Sequence, residues 1–362
     1  MRSFGSDNNS GVDPRIMQAL MEANNGHTIA YGDDRWTRGA EEAVRTLLGE
    51  KEVEPFFLFN GTGANVVALQ ACTSSFHSIL CASTAHIAVD ECGAPVKMTG
   101  ASLKEIPTPD GKLTPDLVRP YLHGFGFEHH SQPKVIAISQ TTELGTVYTP
   151  QEINALSGLA HSYDMLLFMD GTRLANACDS LDVSLREMTV DAGVDIFTLG
   201  GTKNGLMFGE ALVPLRREAA ETIKYYRKQT TQLYSKMRFI SAQFIPYLNE
   251  NIWLENAKKS NSAAQKLYDE INRIGGIEIT QPVQSNALFL ILPGEIADKL
   301  RERYFFYDWD AARNEVRLVC SWDTTGEDIR DFAGYLRKVK AGNGIEDNML
   351  RTIKDSVIGN NS

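Results

Sequence analysis

Lys203 lies in Thr198-Leu-Gly-Gly-Thr-Lys-Asn-Gly205, just past a buried apolar run and among small residues, a setting that suits Schiff-base chemistry. Partial burial and nearby cations lower a lysine's pKa, so the neutral amine that must attack a carbonyl becomes accessible. Asp170 stands 33 residues upstream, in Asp170-Gly-Thr-Arg173, at the carboxyl end of Leu166-Leu-Phe-Met169. That separation is about one strand–helix–strand unit, which brings both side chains to one sheet edge. An Asp there can pair with a pyridinium nitrogen and keep the ring electron-withdrawing. Arg173 can offer a planar fork to a cofactor or a substrate carboxylate. A third segment, Asn60-Gly-Thr-Gly-Ala-Asn65, sits between an apolar strand and a helix. Its small residues let backbone amides crowd an anion at the helix N-terminus, and Thr62 adds a hydroxyl. It is neither a P-loop nor a dinucleotide fingerprint, because the Lys-Ser/Thr pair and the third glycine are missing.

Taken singly, these are a surface lysine, a helix-capping Asp and an ordinary turn. In that order and spacing they point to the pyridoxal-phosphate (PLP) superfamily built on the aspartate-aminotransferase fold. The elements that must position them agree. Short apolar runs at Phe56–Phe59, Ile79–Cys81, Val135–Ser139, Leu166–Met169 and Ile196–Leu199 read as buried strands. Helical stretches at Ala64–Ala71, Pro150–His161 and Leu181–Met188 alternate with them, which argues for an α/β fold with a mostly parallel sheet covered on both faces. Glu210–Leu215 reads as a further, antiparallel strand. Asp13-Pro14 opens an early helix, and a second runs over Arg38–Leu48. Arg216–Ile274 reads as wholly helical, interrupted at Pro246 and ended by Gly275-Gly276. Strands at Ile277–Thr280, Ala287–Leu292 and Val316–Ser321, with helices at Glu295–Arg303 and Gly326–Lys340, describe a small C-terminal α+β domain. The expected division is an N-terminal arm over 1–12, a large domain over 13–250, a small domain over 251–342 and a polar tail over 343–362. The last residues, Gly-Asn-Asn-Ser, are expected to be mobile.

A chain of 362 residues, 43% hydrophobic and 23% charged, supports a large core or one large and one smaller domain. A formal net charge of −10 argues against a broad nucleic-acid surface. The one basic concentration, Lys224 to Arg238, reads as a solvated helix face. Five scattered cysteines have no metal-like spacing and fit a reducing compartment, so no metal site is expected. The polar N-terminus has no apolar signal core, and no run approaches the ~18 apolar residues of a membrane span. A cytoplasmic protein is expected.

Several stretches together resemble one PLP family, the low-specificity L-threonine aldolases of the group that includes the β-eliminating lyases. They are Phe4-Gly-Ser-Asp-Asn-Asn-Ser-Gly11, Tyr31-Gly-Asp-Asp34, Asn60–Asn65, His86-Ile-Ala-Val-Asp-Glu-Cys-Gly-Ala-Pro95, Asp170-Gly-Thr-Arg-Leu-Ala-Asn176, Lys203 and Val316-Arg-Leu-Val319. The resemblance covers residues 3 to about 340, in family order. It implies PLP fold type I. It implies that Gly61, Thr62 and Gly63 hold the cofactor phosphate, that Thr202 lies at the cofactor, and that His86 stacks on the pyridine ring. Asp170 would bind the ring nitrogen and Lys203 would be the Schiff-base lysine. Arg173 and Arg317 would take the substrate carboxylate, with Ser6 nearby. Arg238 resembles a residue that reaches a neighbouring subunit's phosphate, and the family's dimer-based tetramers imply a homotetramer with shared sites. The chain departs from the family at Gln140-Thr-Thr-Glu-Leu144, where many members carry Glu-Asn-Thr-His-Asn, and at Asn204–Gly209.

The implied reaction is retro-aldol cleavage of a β-hydroxy-α-amino acid to glycine and an aldehyde. A base must take the β-hydroxyl proton, and histidine suits that task near neutral pH. His86, His129 and His130 are the candidates, with bound water as another. An aryl-preferring (phenylserine) aldolase, a β-eliminating lyase and a PLP-binding regulatory protein are the competing readings.

Overall fold

The computed structural model describes residues 2–358, and the terminal Gly-Asn-Asn-Ser expected to be mobile lies outside them. Seven strands form the main sheet: β1 (Phe56–Leu58), β2 (His77–Ala82), β3 (Ser102–Ile106), β4 (Gln132–Ser139), β5 (Leu166–Asp170), β6 (Ile196–Gly200) and β7 (Glu210–Pro214). Their spatial order is β1-β7-β6-β5-β4-β2-β3. The run from β3 to β6 is parallel, whereas β7 is antiparallel to both β6 and β1.

The central strands are buried on both faces, which is why they read as unbroken apolar runs. Side chains alternate between two cores, as the two-residue period of a strand demands. Ile136, Ile138, Leu167 and Phe197 face one core, closed by helices α1 (Pro14–Ala23), α2 (Arg35–Leu48), α4 (Pro150–His161), α5 (Leu174–Leu181) and α7 (Arg238–Asn249). Val135, Ala137, Phe168 and Ile196 face the other, closed by α3 (Gly61–Cys72) and α6 (Arg217–Gln229). The helix starts follow their caps. Asp13 accepts from the Arg15 amide ahead of α1, and Thr149 with Glu152 forms a capping box on α4.

A third core lies under a four-stranded antiparallel sheet of β8 (Glu278–Ile279), β9 (Ala287–Ile291), β10 (Tyr307–Asp310) and β11 (Glu315–Val319). It is packed by α8 (Ile252–Ile274), α9 (Gly294–Arg301) and α10 (Gly326–Ile358). The first turns of α8 contribute Ile252, Trp253 and Ala257 to the large core, and its later turns contribute Ala264, Leu267 and Ile271 to the small one. The N-terminal arm is anchored here: Arg2–Ser3 pairs in parallel with Tyr304–Phe305, and Phe4 is fully buried.

Four expectations need correction. Arg216–Ile274 is three helices, broken at left-handed Thr231 (φ 63°) and Asn251 (φ 59°). Pro246 instead lies inside α7. The helix after β5 begins at Leu174, earlier than the Leu181–Met188 reading, and a separate short turn covers Leu185–Met188. β3 and β10 were not anticipated. Helix α10 continues to Ile358, through much of the stretch expected as a tail.

The crossing at Asp170 is tight. A Cβ built on Gly171 would meet the Thr198 carbonyl oxygen at 2.0 Å, and the Gly171 amide donates to Thr198 Oγ1 at 2.8 Å. Backbone cannot give way as a side-chain tip can. Gly171→Ala is therefore expected to lower stability by about 1–3 kcal/mol, read as a reduced midpoint in thermal unfolding.

Candidate active site

A cavity of about 240 Å³ opens at the carboxyl ends of the parallel strands. Asn60, Gly61 and Thr62 reach it after β1, His86 after β2, Glu143 after β4, Asp170 and Arg173 from β5, and Thr202 and Lys203 after β6. Ligand groups collect at such strand ends, where loops leave the sheet and backbone donors are uncommitted. Asn8 of the arm and Glu210 at the start of β7 complete the wall.

Lys203 follows Gly200-Gly201, and neither glycine could carry a side chain without displacing backbone: a Cβ on Gly200 would meet the Thr172 carbonyl oxygen at 2.2 Å. Among the described residues the Lys203 amine makes no hydrogen bond and no ion pair, although it faces Asp7, Asp170 and Glu210. Burial, followed by the Arg173 cation, pulls its pKa below the ordinary lysine range. The amine is held available. Behind it, burial pushes the Glu210 carboxyl up to about 7.

Asp170 is surrounded by donors. Oδ1 accepts from the Thr172 amide at 3.0 Å and Thr172 Oγ1 at 2.6 Å, and Oδ2 accepts from Asn65 Nδ2 at 2.8 Å. Burial alone would raise its pKa, but these bonds and the nearby His86 outweigh it, and the carboxyl stays below its usual value. A permanently ionised carboxylate is what a pyridinium partner requires.

Arg173 lines the pocket, yet its fork is filled by Asp7 of the arm: Nε to Oδ2 at 2.7 Å and Nη2 to Oδ1 at 2.9 Å. Asn286 Nδ2 donates to Asp7 Oδ2 at 3.0 Å. Arg317 is different. It lies over the Trp309 ring, has no carboxylate partner among the described residues, and leaves Nε buried and unbonded. Burial and then Arg173 depress its pKa, which a bound anion would reverse.

The pocket gathers Gly61, Thr62, His86, Asp170, Arg173, Thr202 and Lys203 from the residues singled out in the sequence. It does not gather the others, and Arg317 too stands outside the lining, over Trp309. Gly63 lies in the first turn of α3, where its amide donates to Asn60 Oδ1 at 2.8 Å and is not free for a phosphate. Ser6 Oγ instead accepts from the Asn8 amide at 3.1 Å, and Asn8 is the residue that reaches the cavity. Arg238 is bound to the Gly26 carbonyl at 3.0 Å, outside the pocket of its own chain. His129 and His130 sit with Phe127 on an exposed, glycine-punctuated loop away from the pocket. Within one chain the pocket's histidine is His86. Sequence reasoning missed Asn65, Glu143 and Glu210. Glu143 carried a signal, since it stands in the Gln140–Leu144 segment that departs from the family pattern. Its Oε1 accepts from Ser139 Oγ at 2.6 Å and from the His86 amide at 2.8 Å.

An uncommitted lysine amine, a carboxylate fixed in its ionised form and a small-residue helix N-terminus fit PLP. Fold and site together define a PLP enzyme of fold type I. A family model described as β-eliminating lyase matches residues 3–293. A low-specificity L-threonine aldolase of Pseudomonas aeruginosa is 41% identical over 339 residues, covering 93% of this chain and 98% of that protein. A Saccharomyces cerevisiae enzyme of the same name is 24% identical, covering 79% of this chain and 73% of that one. Among solved structures, a threonine aldolase of Leishmania major superposes with a TM-score of 0.89 at 30% identity, covering 94% of this chain and 99% of that chain. Aspartate aminotransferase of Thermus thermophilus gives 0.69 at 16% identity, covering 93% and 90%, a likeness of fold alone. The chain belongs to the β-eliminating lyase family, and within it to the low-specificity L-threonine aldolases.

Proposed function

We propose that the protein is an aldehyde-lyase that cleaves L-threonine, L-allo-threonine and related β-hydroxy-α-amino acids to glycine and an aldehyde. One observation carries this reading: an unpartnered lysine amine and a donor-clamped carboxylate share one pocket, in a chain 41% identical to a low-specificity L-threonine aldolase over nearly its whole length.

PLP, when bound, supplies an electron sink for the pair released from the broken Cα–Cβ bond. The protein's residues do the rest. Lys203 would present its amine to the cofactor's carbonyl. Asp170 would pair with the ring nitrogen, while Gly61, Thr62 and Thr202 would hold the phosphate end. His86 would lie against the ring, where it could accept the β-hydroxyl proton. Arg317 binds the substrate carboxylate and so fixes which bond stands across the ring plane, a positioning effect. Arg173 stiffens the same wall through Asp7.

The pocket serves one subunit's chemistry, but we read the working form as a cytoplasmic homotetramer with shared sites. Arg238 supports that reading, since it lies outside its own pocket, as a residue serving a neighbour's phosphate has to. No helix among the described residues is long and apolar enough to cross a membrane.

The test is incubation of the PLP-loaded enzyme with L-threonine, L-allo-threonine and L-phenylserine, with product identification. Glycine and the matching aldehyde are expected, and pyruvate-type keto acids with ammonia would indicate elimination instead. Arg317→Leu removes a charge-assisted contact worth about 1.5–3 kcal/mol. It is expected to lower kcat/KM roughly 10- to 100-fold, mainly through KM, for all three substrates.

A further inference from the structure

Beneath His86 runs a buried chain of polar groups that the reaction as described does not use. His86 Nδ1 lies 2.8 Å from Glu91 Oε1. The same oxygen accepts from Asn65 Nδ2 at 2.8 Å, and that amide also donates to Asp170 Oδ2 at 2.8 Å. Glu91 has no exposed side-chain surface, whereas His86 is one-third exposed and lines the pocket. The chain is directional. Both amide hydrogens of Asn65 are spent on carboxylate oxygens, so Glu91 Oε1 meets a donor on the Asn65 side. A carboxylate can only accept, and His86 must therefore bring its proton on Nδ1. A neutral imidazole carries one such proton, which leaves Nε2 with the lone pair.

We propose that Glu91 is a positioning residue that holds His86 in the Nδ1–H tautomer, making Nε2 the nitrogen that accepts the β-hydroxyl proton, and that Asn65 ties this imidazole to the Asp170 carboxylate. This rests on the reading that His86 faces the substrate. In the step, the substrate O–H proton passes to Nε2, and the O–H pair becomes the carbonyl π bond. PLP, when bound, would take up the Cα–Cβ pair as the aldehyde leaves. A proton must then return to Cα to give glycine. The groups facing His86 pull both ways, and the carboxylates win. Its pKa is raised chiefly by the bond to Glu91, against burial and against Lys203 when that amine is protonated, with Asp170 adding to the rise. Glu143 meets only its backbone amide. Ligand histidines elsewhere are oriented in the same way, and losing the orienting carboxylate commonly costs 10–100-fold.

The test uses PLP-loaded enzyme with ¹⁵N-labelled histidines. His86 is assigned by the signal lost in His86→Gln, and pH profiles of kcat/KM are measured alongside. The wild type is expected to show a protonated Nδ1 and an unprotonated Nε2. Glu91→Gln keeps an acceptor but loses the charge. Its tautomer should persist while the His86 titration and the acidic limb of kcat/KM both move to lower pH, because less attraction remains for the imidazolium. Glu91→Leu should lose the tautomer preference and lower kcat about 10- to 100-fold, with Glu91→Asp recovering part of it. A wild-type His86 protonated on Nε2, or a Glu91→Gln enzyme whose titration and acidic limb stay in place, would overturn the proposal. The tautomer signal does not depend on turnover. An enzyme that cleaves none of the hydroxy amino acids yet shows the Nδ1–H signature would refute the functional reading and not the arrangement around Glu91.

Discussion

Lys203→Ala should lower cleavage of every β-hydroxy-α-amino acid by at least roughly 10³-fold, more than any other single change considered. The side chain supplies the amine that engages the cofactor, and no other lysine lines the pocket. The loss should be in kcat, with substrate affinity largely kept, because Arg317 and the phosphate turn are untouched. Folding should survive. The amine makes no hydrogen bond or ion pair among the described residues, so truncation removes none that the fold relies on. Bound cofactor should remain detectable but lose the absorbance near the visible edge that a lysine-linked ring gives. Steady-state rates with L-threonine, beside the holoenzyme spectrum, measure both.

Asp170→Asn comes second. The two shapes are nearly the same, so the argument turns on hydrogens. Oδ1 receives two donors from Thr172 and Oδ2 receives one from Asn65. An asparagine must turn an NH₂ toward one of them, setting donor against donor. It also leaves the ring nitrogen facing a neutral partner. Breaking a buried charge pair costs about 3–5 kcal/mol, so kcat/KM is expected to fall by roughly 10²- to 5 × 10³-fold. Titration of the apoenzyme with PLP should show weaker binding. Asp170→Glu should not restore it, because an added methylene has no room in a site where the carboxylate is buried and triply bonded.

Much of this arrangement is legible in the chain because it follows short-range rules. The central strands announce themselves as apolar runs, and the spacing between Asp170 and Lys203 places both at one sheet edge. The antiparallel turn of β7 follows from the short link after Lys203. What escaped notice did so for physical reasons. Strand β3, Ser-Leu-Lys-Glu-Ile, is an edge strand half exposed to water, so its sequence has no unbroken apolar signal. Pro246 suggests a break because its ring removes a backbone donor, but the breaks come where Thr231 and Asn251 take left-handed backbone, which β-branched Thr disfavours and which Asn tolerates without requiring. Arg173 was read as an open fork, yet its partner Asp7 is 166 residues away in sequence, and a pairing so distant leaves no local trace. The histidine pair His129-His130 had the right chemistry and the wrong surroundings. Glu91 and Asn65 stand inside the His86–Pro95 and Asn60–Asn65 segments, but their roles come from a bond across 26 residues that only the fold creates.

The central claim is that Lys203 anchors the cofactor, and one measurement meets it directly. Borohydride reduction of the PLP-loaded enzyme, followed by proteolysis and mass mapping, should place the cofactor's mass on the peptide bearing Lys203 and leave the Lys203→Ala protein unlabelled. A reduced cofactor on another lysine, or equal labelling of the Lys203→Ala protein, would contradict it.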